Sequence, residues 1–367
     1  MSYITSIGTA NPTFCFTQET IGKFMVNAMQ LEGNSARKLH ALYRATGIET
    51  RYSVLSDYGK ENELDFFSDK KKIEPFPGTK TRLNLFRKHA LELSKASINN
   101  CFEKISFNDR LAITHLVVVS CTGMSAPGLD IDLVKALGLS PSLHRTCINF
   151  MGCYAAFNAI KLADTFCKAD PASKVLIVCT ELCSIHFQKE NTEDNLLANA
   201  LFADGSAALL MESSPQKGYS FKPLSFYCEL IPEGEKDMGW AIGDFGFEMK
   251  LSTYVPQLIR KGIKKLTDSL LQKISIPFSS ISFFVIHPGG KKILEAIEQE
   301  LKINDNQNKF SREVLKKYGN MSSPTVLFVL SHLSRSLQPR DAGKNILSFA
   351  FGPGITLESM ILQIEYR

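Results

Sequence analysis

Short apolar runs separated by stretches of helical period constrain the fold of this chain more than any other feature. Residues 116–121, 174–179, 283–286 and 346–350 are dominated by Val, Ile, Leu and Phe, the pattern of a strand covered on both faces. Between them, residues 90–96, 255–271 and 291–301 repeat apolar side chains at helical spacing. Strands alternating with helices predict an α/β layered fold with covered sheets. At 367 residues and 44% hydrophobic content the chain is long enough for one large unit or two fused halves. A composition break at 213–218 is the candidate junction, dividing the chain into 1–217 and 218–367.

Charge and cysteine usage narrow the function classes. A net charge of +5 suits small anionic ligands and falls short of what a dedicated nucleic-acid binder carries. Residues 1–8 lack the basic and apolar regions of a secretory signal, and no run approaches the ~18 apolar residues of a membrane span. The expectation is a cytoplasmic protein without a membrane span. Nine cysteines are spaced irregularly and form no Cys-x-x-Cys pair, so they read as reduced thiols, mostly in the core. Residues 56–82, with Lys70, Lys71 and Lys72 and the 75–78 stretch Pro-Phe-Pro-Gly, read as a surface excursion. Residues 304–309 read as a loop, and the basic run 260–265 as a solvated helix face.

Three segments carry candidate chemistry. Cys153 follows a strand-like stretch, 145–150, and a glycine, and precedes the helix-compatible run 155–163. A helix start favours a thiolate, the more so with a cation nearby. His287 ends an apolar strand and is followed by Pro288, Gly289 and Gly290; strand ends are where α/β proteins place ligands, and His287 is a candidate for that cation. Lys291 and Lys292 then begin a helix, an arrangement unfavourable for its dipole that a nearby anion would relieve. Asn320 stands in Tyr318-Gly319-Asn320-Met321-Ser322-Ser323, and an amide can donate to a developing oxyanion without titrating. Each residue also fits a plain role: a packing cysteine, a hydrogen-bonded histidine, a turn asparagine. Only their convergence makes a site.

These segments resemble those of the type III polyketide synthases, the chalcone and stilbene synthase-like enzymes of the thiolase superfamily, and the likeness runs through nearly the whole chain. Gly152-Cys153 resembles the family's nucleophile segment, His287-Pro288-Gly289-Gly290 its histidine segment, and 318–323 its asparagine segment. Residues 200–208 resemble the block holding a gatekeeper phenylalanine, here Phe202, and 351–354 the loop that shapes the cyclisation pocket, with Pro353. The resemblance implies a five-layered αβαβα thiolase-like fold of two related halves, the first carrying the cysteine and the second the histidine and asparagine. It implies a homodimer that loads an acyl-CoA starter on Cys153. His287 and Asn320 would stabilise the enolate of decarboxylating malonyl-CoA, and the extended chain would cyclise to a pyrone, resorcinol or related phenolic product. CoA thioesters would be substrates, with no resident cofactor, metal or carrier protein.

Departures from the plant pattern concern the substrate. Cys121, Cys183 and His186 stand where plant enzymes have cavity threonines; Phe247 is the best match to a second gatekeeper aromatic, in a segment closer to bacterial members; Ser322 completes the lining. Among the CoA-binding cations Lys38 falls near one, the others align with Ala41 and Ala45, and Arg37, Arg44 and Arg51 are candidate substitutes. Related alternatives are a β-ketoacyl carrier-protein synthase III, making one condensation with a carrier protein, and a non-catalytic acyl-binding relative. Hydroxymethylglutaryl-CoA synthase would need a glutamate base motif that no segment matches.

Overall fold

All four apolar runs form strands of one continuous order whose two halves stack as separate sheets, two runs in each. The computed structural model describes residues 1–69, 73–103 and 111–367. In chain order the strands are β1 (Tyr3–Ala10), β2 (Phe14–Thr17), β3 (Thr50–Ser53), β4 (His115–Ser120), β5 (His144–Asn149), β6 (Lys174–Leu182), β7 (Asp204–Glu212), β8 (Tyr219–Leu230), β9 (Met238–Gly243), β10 (Gly246–Leu251), β11 (Ile281–Ile286), β12 (Asn345–Gly352) and β13 (Thr356–Tyr366). The helices are α1 (Gln18–Ala28), α2 (Gly33–Ala45), α3 (Thr79–Cys101), α4 (Leu129–Leu137), α5 (Ala155–Ala169), α6 (Glu193–Leu201), α7 (Val255–Lys273), α8 (Lys291–Leu301), α9 (Lys309–Tyr318) and α10 (Thr325–Ser336).

Among the described residues nine strands join in the order β11-β12-β13-β8-β1-β7-β6-β4-β5. The group β1, β7, β6, β4, β5 meets the group β8, β13, β12, β11 through one register pair, Ile4 with Phe221. Each group has the same logic: its first strand pairs antiparallel with its last, and parallel strands follow, β6 with β4 and β12 with β11.

Alternation along the strands sorts the core into layers. Val117, Val119, Ile177 and Cys179 pack with α5 and α10, while Leu116, Val118, Leu176 and Val178 pack the other way with α3 and α4. Across the molecule, Ile346, Met360 and Leu362 join the same central cluster, and Leu347, Phe349 and Ile361 pack with α7 and α8. The outcome is helix, sheet, helix, sheet, helix. Central helices must be apolar on every side. Helix α10 meets this with Val326, Leu327, Phe328, Val329 and Leu330, all buried, whereas α5 meets it on the face of the fully buried Ala155, Ala156, Ala159 and Ala163 and exposes Thr165 and Lys168 near its end. Those alanines let α5 run close between the sheets, and both central helices open into the site described below.

Two surface expectations resolve differently. The basic run on α7 is a solvated face, with Arg260, Lys264 and Lys265 paired to Glu300, Asp268 and Glu229; such exposed pairs contribute at most about 1 kcal/mol each. The 56–82 excursion, by contrast, buries Tyr58, Phe67, Ile73 and Phe76 in an aromatic cluster with Phe24 and Phe187. Charge clusters in the sequence concealed these regularly spaced aromatic anchors. Residues Lys70, Lys71 and Lys72 lie outside the described residues. The polar stretch from Asn304 is a loop up to Asn308, and Lys309 opens α9. No helix among the described residues is long and apolar enough to cross a membrane.

Candidate active site

Strand β5 ends at Asn149, and the chain then turns sharply, with positive φ at Phe150 and Gly152, before the 3-10 turn Gly152–Tyr154 that leads into α5. Cys153 lies in that turn, 8% exposed, at the start of a fifteen-residue helix. Glycine is required just before it: a Cβ on Gly152 would lie 2.2 Å from Pro353 Cδ. The Gly152 N–H donates to Cys121 Sγ at 3.0 Å, fixing the nucleophile turn to the loop after β4.

His287 follows β11, and its N–H donates to the Phe349 carbonyl of β12, so the strand end is anchored. Its side chain is buried, and neither ring nitrogen has a hydrogen-bond partner among the described residues. Leaving buried polar atoms unpaired costs about 1–3 kcal/mol each, so this imidazole is shaped for a partner that enters the cavity.

Asn320 is held from several sides. Its Oδ1 accepts from the Ser322 N–H at 2.8 Å and lies 3.9 Å from Cys153 Sγ, while Nδ2 donates to the Gly289 carbonyl at 3.3 Å. One of the two amide hydrogens is thereby used and the other remains available. Backbone bonds from Asn320 N to Leu201 O and from Ala203 N to Asn320 O bracket Phe202, so the gatekeeper position and the amide move as one unit.

Cys153, His287 and Asn320 line one cavity of about 30 Å³ together with Cys121, Cys183, Phe202, Ser322 and Pro353. Most of the lining residues expected from the sequence therefore meet. His186 and Phe247 do not. They line an adjoining cavity that shares Cys183, Phe202, Trp240 and Met249 with the first. Phe247 precedes Met249 by two residues on β10, roughly 7 Å, so Met249 reaches the reactive cavity while Phe247 stacks on His186 at 4.2 Å. His186 is a clamp: its Nε2–H donates to the Thr122 carbonyl at 2.6 Å and its Nδ1 accepts the Phe247 N–H at 3.0 Å. Both ring nitrogens are thus satisfied by backbone. Lys38 and Arg44 are exposed on α2, outside both cavities.

The sequence reading missed the β9–β10 hairpin, which supplies Met238, Trp240, Met249 and Leu251 to the wall. Trp240, the one tryptophan of the chain, donates its indole N–H to the Cys121 carbonyl at 2.6 Å. A lone tryptophan in a glycine-rich stretch was the available signal. Glu181, the penultimate residue of β6, was missed too; a carboxylate closing an apolar strand was its signal.

Electrostatics in the closed cavity run against the expected thiolate. Burial pushes the Cys153 thiol up to about 12 and holds the His287 imidazole down to about 3. Burial thus disfavours the charged form of each group, a cost that mutual attraction between them and the polar groups of an incoming thioester would offset. The shift of His287 also has a stability consequence. Its unfolded form binds a proton below its ordinary 6.5 and its folded form does not until about 3, so folding loses stability as pH falls through that window. His287→Gln is expected to lose less stability than the wild type on going from pH 6.5 to 4.5, by up to about 1.4 kcal/mol per pH unit. Urea unfolding at both pH values checks this, and identical losses would contradict it.

A thiolase-like fold that closes a thiol, an imidazole and an amide into an apolar cavity belongs to a class of acyl-transferring enzymes, and known proteins specify which. The chain belongs to the chalcone and stilbene synthase family: residues 1–215 match the N-terminal domain of the chalcone and stilbene synthases and 225–365 their C-terminal domain. It is therefore a type III polyketide synthase by family. It is 32% identical to the alpha-pyrone synthesis polyketide synthase-like Pks18 of Mycobacterium tuberculosis, over 92% of this chain and 85% of that protein. It is 31% identical over 99% of its length to the probable polyketide synthase 1 of Dictyostelium discoideum, of which it spans 11%. The crystal structure of PKS-I from the brown alga Ectocarpus siliculosus superposes with a TM-score of 0.90 at 30% identity, over 99% of this chain and 98% of that one.

Proposed function

We propose that this protein loads an acyl group from a CoA thioester onto Cys153 and extends it with malonyl-CoA by decarboxylative Claisen condensation. The single observation that carries the reading is His287, buried with both ring nitrogens unpaired, in the cavity of a thiol and a half-free amide. The Cys153 proton passes to His287, sulfur attacks the starter carbonyl, and CoA leaves as its thiol. Malonyl-CoA then binds with its thioester oxygen facing His287 and the spare Asn320 N–H. Loss of CO₂ leaves an electron pair delocalised onto that oxygen, where the two donors stabilise it. The enolate carbon attacks the Cys153 thioester, and Cys153 departs as the thiolate. Repeated cycles and cyclisation release a pyrone, resorcinol or related product. CoA thioesters enter as substrates, and no resident cofactor takes part.

The wall points to an aliphatic starter. Met238, Met249, Leu251, Ile293 and Phe351 give the cavity an apolar lining, and methionines adapt to chains of varied shape. A homodimer fits the exposed edge strand β5, which an isolated chain would leave open. Cytoplasmic residence fits nine free cysteines, three of them exposed. The test is product analysis and sedimentation of the purified protein with a panel of acyl-CoAs and malonyl-CoA, without any carrier protein. Pyrones or resorcinols from a dimer support the reading; strict dependence on acyl carrier protein sinks it.

Anionic CoA needs cations at the cavity mouth. Besides Lys38 and Arg44 on α2, the stem of Lys291 lies across Gly47, just beyond α2, at 3.3 Å from where a Cβ would stand. Lys291 and Lys292 are exposed and follow Gly289 and precede Ile293, both of which line the cavity. Phosphate there would answer the unfavourable charge at the start of α8. The double variant Lys291→Glu, Lys292→Glu is expected to raise KM for acyl-CoA about tenfold with kcat little changed. Steady-state kinetics at low and high salt check it, and an unchanged KM counts against these contacts.

A further inference from the structure

Glu181 has no role in the reaction just described, yet it is the most heavily bonded side chain beside it. It is fully buried. Its Oε2 accepts from the Cys121 N–H at 2.8 Å, the Thr122 hydroxyl at 2.8 Å and, more weakly, the Ser120 hydroxyl at 3.4 Å. Its Oε1 accepts from the Ser323 hydroxyl at 2.6 Å. Thr122 Oγ1 is itself occupied as acceptor by the Leu182 N–H at 2.9 Å, which commits the hydroxyl proton to Glu181. Among the described residues no cation pairs with this carboxyl.

The partners belong to two different loops, and each loop holds one reacting group. Cys121 receives the Gly152 N–H on its sulfur, so the loop after β4 sets the nucleophile turn. Ser323 adjoins Ser322, whose N–H orients the Asn320 amide. One carboxyl therefore ties the thiol's support to the amide's support, across strands from one half and a helix start from the other.

We propose that Glu181 is a positioning residue that locks the nucleophile turn to the asparagine turn, and that its charge governs how readily Cys153 ionises. The proposal rests on the reading of Cys153 as the nucleophile. The titratable groups facing Glu181 are the thiols of Cys121, Cys153, Cys179 and Cys183, with no positive charge among them. Burial raises its own pKa to about 7. Above that pH it is a carboxylate, and its negative charge opposes a thiolate on Cys153. Below it the carboxyl is neutral and that opposition disappears. Thiolate formation in the wild type is therefore penalised in the range where thiols otherwise begin to ionise.

Glu181→Gln keeps the shape, accepts from Cys121 and Thr122, and donates to Ser323, while removing the charge. Its Cys153 is expected to be alkylated by iodoacetamide along a profile about one pH unit below that of the wild type, hence about tenfold faster at a fixed pH of 8 to 9. Peptide mass spectrometry of the full-length protein over pH 6–10 reads this. Ser323→Ala removes only the link to the asparagine turn, and should lower kcat for malonyl-CoA decarboxylation about tenfold at unchanged KM. Coincident alkylation profiles for wild type and Glu181→Gln, or an undiminished decarboxylation kcat in Ser323→Ala, overturn the proposal. Alkylation needs only a thiol at position 153, so a failure of acyl loading on Cys153 would be seen separately.

Discussion

Cys153→Ala is expected to abolish acyl-enzyme formation and to lower polyketide output by at least about 10³-fold, while still releasing CO₂ from malonyl-CoA. The asymmetry follows from the division of labour in the cavity. Loading and condensation both pass through the Cys153 sulfur, and an activated nucleophile that is removed has no substitute in its place. Cys121 and Cys183 line the same cavity, but burial raises the pKa of each well above the ordinary thiol range, with nearby Glu181 adding to the shift. Decarboxylation asks only for donors at the thioester oxygen, and His287 and Asn320 remain. Assays with radiolabelled starter CoA and, separately, with carboxyl-labelled malonyl-CoA distinguish the two steps. Wild-type covalent loading by the alanine variant would overturn the assignment of the nucleophile.

Asn320→Ala is expected to cost about 10²–10³ in kcat for both decarboxylation and condensation, the price of one oxyanion donor in a water-excluded site. Starter loading should suffer less, because the thiol stays in its turn. The geometry sharpens the expectation. Asn320 is fixed by the Ser322 N–H on one side and the Gly289 carbonyl on the other, so the amide is held without reorganisation. Asn320→Asp would replace that donor by an acceptor beside a developing negative charge, and should be at least as damaging. Stopped assays of CO₂ release against acyl transfer provide the comparison. Equal losses in loading and decarboxylation would indicate a collapsed cavity instead of a missing donor.

Much of this was legible in the sequence because it rests on patterns of a single local kind. Strands β4, β6, β11 and β12 are covered on both faces, so their apolar runs stand out, and the small-residue start of α5 and the Pro-Gly-Gly after His287 announce turns at chain positions that must carry function. The resemblance to the chalcone and stilbene synthases joined these local signals into one site. The hairpin β9–β10 escaped because its strands are half exposed and irregular in pattern, and with it went Trp240 and Met249. The resemblance points to Phe247 as the second gatekeeper aromatic, whereas position along β10 decides which residue lines the thiol's cavity. His186 lies beside the predicted pocket, but its two backbone bonds are tertiary and leave no trace in spacing. Burial is hidden from the sequence for the same reason: a helix start that favours a thiolate is visible there, and the depth of burial that opposes one on Cys153 is not.

The most direct test is intact-protein and peptide mass spectrometry of the purified enzyme given an acyl-CoA and malonyl-CoA, with no carrier protein present. The starter acyl group, and starter plus ketide increments at short times, are expected on the peptide containing Cys153 and absent in Cys153→Ala, as acyl transfer through that sulfur requires. An adduct on another cysteine, or acylation that appears only when the acyl group is delivered by a carrier protein, would contradict it.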